Sequence, residues 1–383
     1  MILEHRLKAE DVRQQTMKTL MKSIPLQVSG YQCTTQMMFD ILMKASAESS
    51  SLDAACQDLE NVVGGNTIRD YWNDALKSED LSEQEAQMNQ ALAESIPTSM
   101  KRAGVEVAID FHDEPFYGKS PDLLAVTCRG MAKKGTTHFV RIASAYVIWR
   151  QVRLTLALVY VLPDDKPLDV LKGLLNRLKR LRFKARVLYL DKGFASTDIV
   201  DYLTQQRQPT IIACPIRGKQ GGTRALCTGR KSYRTDYTFT DGTQANLALK
   251  ASLVPDKSGK RRRKWLAFII IHLDWSPQKI YQQYRRRFGV ECSYRIMRHV
   301  RASTTSRNPA MRFFLLGIGL VLVNSWVFLR WEFTRLLERG PRRVDPERFR
   351  FHRFTRLLIR SIEAVYGAVM AIPTHISPQF VIY

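Results

Sequence analysis

The sequence predicts an α/β fold, a mixed sheet flanked by helices, on three observations. Residues 1 to about 100 have helical composition, residues 101 to 215 change to strand-like periods, and one of those strands is continuously apolar, as a strand covered on both faces is. In chain order, VEVAIDF alternates, placing Val105, Val107, Ile109 and Phe111 on one face and Glu106, Ala108 and Asp110 on the other. THFVRIASAYVIW and RLTLALVYVLP supply two more strands. PLDVLKGLLNRLKRLRF is an amphipathic helix with a basic outer side, and ARVLYLD is the continuous apolar strand. Ser196 to Gln206 is again helical, and PTIIACPI is a fifth strand. Three antiparallel strands followed by crossovers whose strands run parallel to the first make the RNase H-like arrangement.

The remaining chain organises around that core. Residues 1–100 form a helical N-terminal domain rich in Ala, Gln, Glu and Met, with turn signals at Ser49-Ser50-Ser51 and Gly64-Gly65-Asn66. SLDAACQDLENV and NTIRDYWNDALK flank the second turn, with Asn66 or Thr67 placed to cap the second helix. The spacing resembles a helix-turn-helix at 51–77 that would turn Thr67, Arg69 and Asn73 toward a DNA groove and pack Ile68, Tyr71 and Trp72 inward. An ordinary helical hairpin has the same pattern. The α/β core spans 101–215 and 264–330, interrupted by residues 216–263, a basic Gly-rich stretch whose Asp241-Gly242 signals a hairpin and hence a β-rich insertion. Phe313 to Leu329 is uncharged for 17 residues, just short of the ~20 that span a bilayer. It contains Asn324 and Ser325, so a buried helix is expected and no membrane partner. Residues 331–383 form a basic helical tail carrying Arg342, Arg343, Arg348, Arg350, Arg353, Arg356 and Arg360.

Charge narrows the partners. Lys and Arg number 59 against 36 Asp and Glu, a net +23, which makes a polyanion the expected partner. The 45% hydrophobic content excludes a disordered basic tail. Six scattered cysteines show no zinc spacing, and MILEHRLKAEDVRQQT lacks an apolar signal region, so a cytoplasmic location is expected.

Asp110 and Asp191 close two strands that would lie side by side, and Lys192-Gly193 permits a sharp exit that frees the second carboxylate. Strand-end aspartates also serve as simple turn formers. The helix IYQQYRRRFGVECSYRIMRHV spaces Tyr284, Arg287, Glu291 and Arg298 by 3, 4 and 7 residues, which keeps them on one stripe. Glu291 among so many cations could equally form surface ion pairs. Two aspartates and a glutamate converging from three elements would offer oxygen ligands suited to two Mg²⁺ or Mn²⁺ ions, the arrangement for in-line displacement at a phosphodiester.

With these residues in view, the chain resembles the DDE transposases of bacterial insertion sequences, in the group with a Tyr-x2-Arg-x3-Glu-x6-Lys signature. Here the signature reads Tyr284, Arg287, Glu291 and Arg298, with Arg in place of Lys. IDFHDEPFYGK and YLDKGF look like the blocks that carry the first and second aspartates, and the resemblance covers roughly residues 100 to 330. It implies metal-dependent cleavage at the element ends and joining of the freed 3′-hydroxyl to target DNA. It implies double-stranded terminal inverted repeats and target DNA as partners, and a homodimer on paired ends in a bacterial or archaeal cytoplasm. Asp110, Asp191 and Glu291 would hold the ions, while Tyr284, Arg287 and Arg298 would contact phosphates. His112 and Asp113, close to Asp110, could assist a metal or proton step but are expected instead to shape the loop. Lys260, Arg261, Arg262 and Arg263 could follow DNA or form a solvated tip, and Trp265 could stack on a base or sit in the core. Two rivals share the scaffold: a catalytically inert, sequence-specific DNA-binding protein, and a structure-specific nuclease that cuts without joining.

Overall fold

Strand pairing organises the middle of the chain. The computed structural model describes residues 6–28, 30–101, 104–218, 222–255, 259–336 and 338–372. Within it β1 (Val105–Phe116), β2 (Cys128–Lys133), β3 (Thr136–Ile148), β4 (Thr155–Val161), β5 (Ala185–Leu190), β6 (Thr210–Cys214), β7 (Tyr233–Thr238), β8 (Gln244–Pro255) and β9 (Arg261–Ile271) form one nine-stranded sheet. β3 lies antiparallel to β1; on its other side β4 pairs with Arg141–Tyr146 and β2 with Thr136–Phe139, end to end. β5 runs parallel to β1, and β6 parallel to β5. This is the RNase H-like order that the sequence predicts. The helix α6 (Pro121–Val126) and β2 escape the apolar pattern because β2 is exposed at every residue after Cys128.

The insertion is β-rich, and its strands extend the main sheet. β9 pairs antiparallel with β6 from Thr210↔Ile271 to Cys214↔Ala267. Beyond that contact, Lys250–Pro255 and Arg261–Leu266 pair with each other as a two-stranded ribbon carrying the basic run.

Helices α1 (Ala9–Ser23), α2 (Thr35–Glu48), α3 (Leu52–Gln57), α4 (Gly65–Ala75) and α5 (Leu81–Glu94) precede the sheet. The crossovers are α7 (Pro167–Arg180) and α8 (Thr197–Gln205), and α9 (Gly222–Ala225) is a single turn in the insertion. α10 (Pro277–Tyr284), α11 (Phe288–Arg298), α12 (Pro309–Phe333) and α13 (Phe351–Tyr366) follow. α4 starts at Gly65 without a side-chain cap, so Asn66 and Thr67 lie inside its first turn instead of capping it. Its Ile68 and Trp72 are buried as expected, Trp72 meeting Phe39 edge-on and packing on Phe314. Only part of the expected helical tail is helical: Arg342, Arg343, Arg348 and Arg350 precede α13 in irregular chain, whereas Arg353, Arg356 and Arg360 lie on α13, which packs on α1 and α2. There Arg13 and the Tyr366 hydroxyl both donate to the fully buried Asp40, at 2.5 and 2.9 Å.

The apolar helix α12 is the centre of the core. It is long and apolar enough to cross a membrane by length and composition, and 89% of its apolar window is buried inside the protein. Asn308 caps it by accepting the Ala310 N–H, and Pro309 stands first, where no N–H is needed. Gly319 lets it approach α11, since a Cβ there would lie 2.8 Å from the Met297 side chain.

Polar side chains from α5 and α12 complete β4, whose outer edge would otherwise expose unpaired peptide groups. Asn324 accepts the Thr155 N–H (2.9 Å) and donates to the Thr155 carbonyl (2.7 Å). Asn89 does the same for Leu158, at 2.9 Å each way, and Glu85 accepts the Tyr160 N–H at 2.6 Å. An amide substitutes here for a neighbouring strand. Asn324→Ala should therefore strand two buried backbone groups and lower stability by about 1–3 kcal/mol, read as a reduced urea midpoint at unchanged m-value.

Candidate active site

Register brings the two aspartates together. β5 ends at Leu190, and Ile109↔Leu190 is the last rung it shares with β1, so Asp110 and Asp191 are the next residues on neighbouring chains. Asp191 does stand at a strand end. Asp110 does not: β1 continues to Phe116, with Asp110 opposite Ser144 of β3. The apolar face runs to Phe111 and gives way at Asp113, which pairs with Arg141, while Asp110 and Glu114 on the opposite face meet Arg287 and Arg301. A change of partner, not the end of the strand, breaks the pattern. Asp191 leaves through a 3₁₀ turn at Lys192–Phe194. Gly193 is not among the glycines with positive φ. What it supplies is room, because a Cβ would stand 3.2 Å from the Phe111 ring, which stacks on Phe194 at 4.4 Å.

The helical stretch after Ser276 is interrupted by a 3₁₀ turn at Arg285–Arg287, so α10 and α11 meet at the signature arginine. Two tyrosines fasten these helices to the sheet. The buried Tyr284 hydroxyl donates to the Leu190 carbonyl at 3.1 Å, and the Tyr294 hydroxyl donates to the Asp110 carbonyl at 3.0 Å while meeting Ser144 Oγ at 2.6 Å. Arg287 then points between the acids. Its Nη1 lies 2.6 Å from Asp110, and its Nη2 lies 2.8 Å from Glu291 and 3.6 Å from Asp191. Three carboxylates from three elements converge on one guanidinium that is only 5% exposed.

Burial pushes the Asp110 carboxyl up to about 7; Arg287 works against this, and the like charges of Asp191 and Glu291 reinforce it. Burial opposes the charge on Arg287, but the surrounding acids and Tyr284 outweigh it and raise its pKa.

Tyr284 and Arg287 are thus turned inward, while Arg298 is exposed at the margin, 4.0 Å from Glu114. The other candidates lie on other surfaces. Arg69 is exposed on α4. Lys260 and Arg261 to Arg263 are exposed on the ribbon, where Arg263 donates to the Gly229 carbonyl at 2.8 Å. Trp265 is half-buried, edge-on to Tyr233 at 6.2 Å. The residue that sequence reasoning underrates is Tyr294, three positions after Glu291 on the packed side of α11. A phenol on a buried helix face needs a hydrogen-bond partner, and that requirement was the available signal.

His112 and Asp113 belong to β1 and shape no loop, because the strand continues through them. Asp113 pairs across the register with Arg141 at 2.6 Å. His112 stacks on Tyr294 with ring centres 4.6 Å apart, and burial lowers its pKa. Glu114 lies 3.6 Å from His112 and 2.8 Å from Arg301. Burial alone would raise Glu114, but His112 and Arg301 together bring it down to about 2, from an ordinary 4.5. A depressed folded pKa contributes stability that is complete above 4.5 and is lost as pH falls toward 2. The stability gap between the wild type and Glu114→Gln should therefore be full at neutral pH and close across that acid window, as followed by denaturant melts at stepped pH.

Among the described residues no group of three His, Cys, Asp or Glu stands ready to hold a metal ion. The middle of the carboxylate cluster is filled by Arg287. Its donors are nevertheless all oxygen, come from separate elements and already share one positive charge, which fits a hard divalent cation such as Mg²⁺ or Mn²⁺.

Residues 147–324 match the family model described as "Transposase DDE domain". The match takes in Asp191 and Glu291 and begins downstream of Asp110. Among solved structures, the chain is similar to the piggyBac transposase in a synaptic complex with hairpin DNA, at 13% identity. That alignment covers 95% of this chain and 79% of the other, with a TM-score of 0.54, a likeness of fold. No curated protein matches the chain.

Proposed function

We propose that the protein is a DDE-type DNA transposase that cuts the ends of an insertion sequence and joins the freed 3′-hydroxyl to target DNA. The observation that carries this reading is the convergence of Asp110, Asp191 and Glu291 on one buried cation beside the end of β5 in an RNase H-like sheet. The match of residues 147–324 to the transposase domain supports it. Asp110, Asp191 and Glu291 would hold two Mg²⁺ or Mn²⁺ ions. Bound there, such ions supply activation of a water or 3′-hydroxyl and stabilisation of the leaving oxygen.

The chain's own residues orient that centre. The Phe111 N–H donates to Asp110 Oδ1 at 3.0 Å, fixing the carboxylate rotamer, and Tyr284 and Tyr294 hold the glutamate-bearing helix at its distance from both aspartates. Arg287 keeps the three acids together in the metal-free protein. Arg298, exposed at the margin, is placed to meet a phosphate, and the net +23 would retain DNA in a salt-dependent way. A homodimer working on paired DNA ends, in a bacterial or archaeal cytoplasm, belongs to the same proposal; the similar piggyBac structure is a synaptic complex with hairpin DNA.

Two measurements test this reading. Arg287→Gln should lower the stability of the metal-free protein by about 3 kcal/mol, because the buried Asp110 loses its partner, and MnCl₂ should raise the Tm of the variant more than that of the wild type. Equal Tm values for the two proteins in EDTA would remove Arg287 from this role. Incubation with Mg²⁺ and a labelled duplex carrying the DNA that flanks the gene should yield joined product. Cutting without joining identifies a nuclease, and retention alone identifies a binding protein. Asp191→Ala should reduce cutting and joining on the order of a thousandfold or more while leaving DNA affinity largely intact; persistent activity would show the wrong acids were chosen.

A further inference from the structure

We propose that the extended segment from Arg301 to Arg307, between α11 and α12, is a phosphate track that carries one sugar–phosphate backbone of duplex DNA from the carboxylate centre toward α4. The inference rests on the transposase reading and specifies how that substrate is held.

The segment begins where the Glu291-bearing helix ends, and it is neither helix nor strand. Its exposure alternates: Ser303, Thr305 and Arg307 face solvent, whereas Ala302 is buried and Thr304 and Ser306 are half-buried. The extended form is locked from within. Thr304 Oγ1 accepts the Ser306 N–H (3.0 Å), Ser306 Oγ accepts the Asn308 N–H (3.1 Å), and Arg312 donates to the Ser306 carbonyl (3.0 Å). The Ser303 N–H ties the start of the segment to the Ser50 carbonyl at 2.9 Å. Outward side chains at every second position of a fixed, extended backbone make a row of donors held in advance of any ligand.

Three cavities open against this one segment. The first, of about 160 Å³, adjoins Glu114, Arg301 and Arg312; the second, of about 390 Å³, adjoins Asp53, Arg69 and Asn73; the third, of about 500 Å³, adjoins Lys119, Asp122 and Arg307. Two of the acids are already engaged, Glu114 by Arg301 and Asp53 by Gln57 at 2.8 Å. Asn73 lines the second cavity beside Arg69, where its amide nitrogen is the group able to donate. Hydroxyls, an amide and exposed Lys and Arg form the set that positions a nucleic-acid backbone without reading its bases. This placement also gives Arg69 and Asn73 a role other than base readout. Their face of α4 looks onto the protein's own Ser303–Ser306, so α4 meets the rim of a duplex and does not enter its groove.

Fluorescence anisotropy of the full chain with a short labelled duplex, repeated across a salt series, tests the track. Thr305→Glu places a negative charge on an exposed position, and the pair Lys119→Ala with Arg307→Ala removes two exposed cations; circular dichroism melts establish that the variants are folded. Thr305→Glu should weaken binding by about tenfold or more, and the double substitution should reduce the magnitude of the log–log salt slope by about 1.8. The control pair Arg356→Ala with Arg360→Ala, exposed and basic on α13, should leave affinity and slope as in the wild type. Wild-type affinity and slope in the track variants overturn the proposal, and so does a loss confined to the α13 pair. If the wild type itself does not bind the duplex, the transposase reading fails, and the track falls with it.

Discussion

The guanidinium of Arg287 reaches Asp110 on β1, Asp191 beyond β5 and Glu291 on α11, and without that positive charge three like charges would crowd a place largely shielded from water. The rest of the centre is arranged to keep this contact. Tyr284 and Tyr294 bond backbone carbonyls on the strands that carry the acids, and Gly319 lets α12 press on α11 from behind. A helix held by phenols on one side and by an apolar core helix on the other has little freedom to retreat. The arginine is therefore as much a structural member as a reactive one.

The same logic extends along the strand. Glu106, Asp110 and Glu114 share one face of β1, because side chains alternate, and they meet Arg286 at 2.5 Å, Arg287 at 2.6 Å and Arg301 at 2.8 Å. A row of acids on a strand thus faces a row of arginines on α11 and its two flanks. Sliding the helix by one residue would unmatch every pair, so electrostatics and packing select the same register. The ion pair at Asp113 and Arg141 lies across the β1–β3 register instead and belongs to the sheet.

Much of this was legible in the amino-acid order. ARVLYL announces a strand covered on both sides, and the crossover rule sets it beside VEVAIDF, which places Asp110 and Asp191 on adjacent stretches of chain. Other features depend on distant partners and leave no local trace. Nothing near Asp110 shows that β1 continues past it, since the Glu114 that follows is paired with Arg301, nearly two hundred positions later. The inward turn of Arg287 is hidden for the same reason: an arginine beside a surface helix reads as solvated until its acids are located. The strands of the insertion show their hairpin in Asp241-Gly242 but not their attachment to β6, which is a long-range pairing. Exposed β2 carries no apolar alternation to find.

The two asparagines that close the edge of β4 impose an order of events during synthesis. Asn89 is made before the strand it serves, whereas Asn324 follows Thr155 by 169 positions. A nascent chain leaving the ribosome therefore carries part of that edge uncapped until α12 has emerged. During this interval an open strand can recruit a second nascent copy or a chaperone. A chain ending before α12 would keep that edge open permanently.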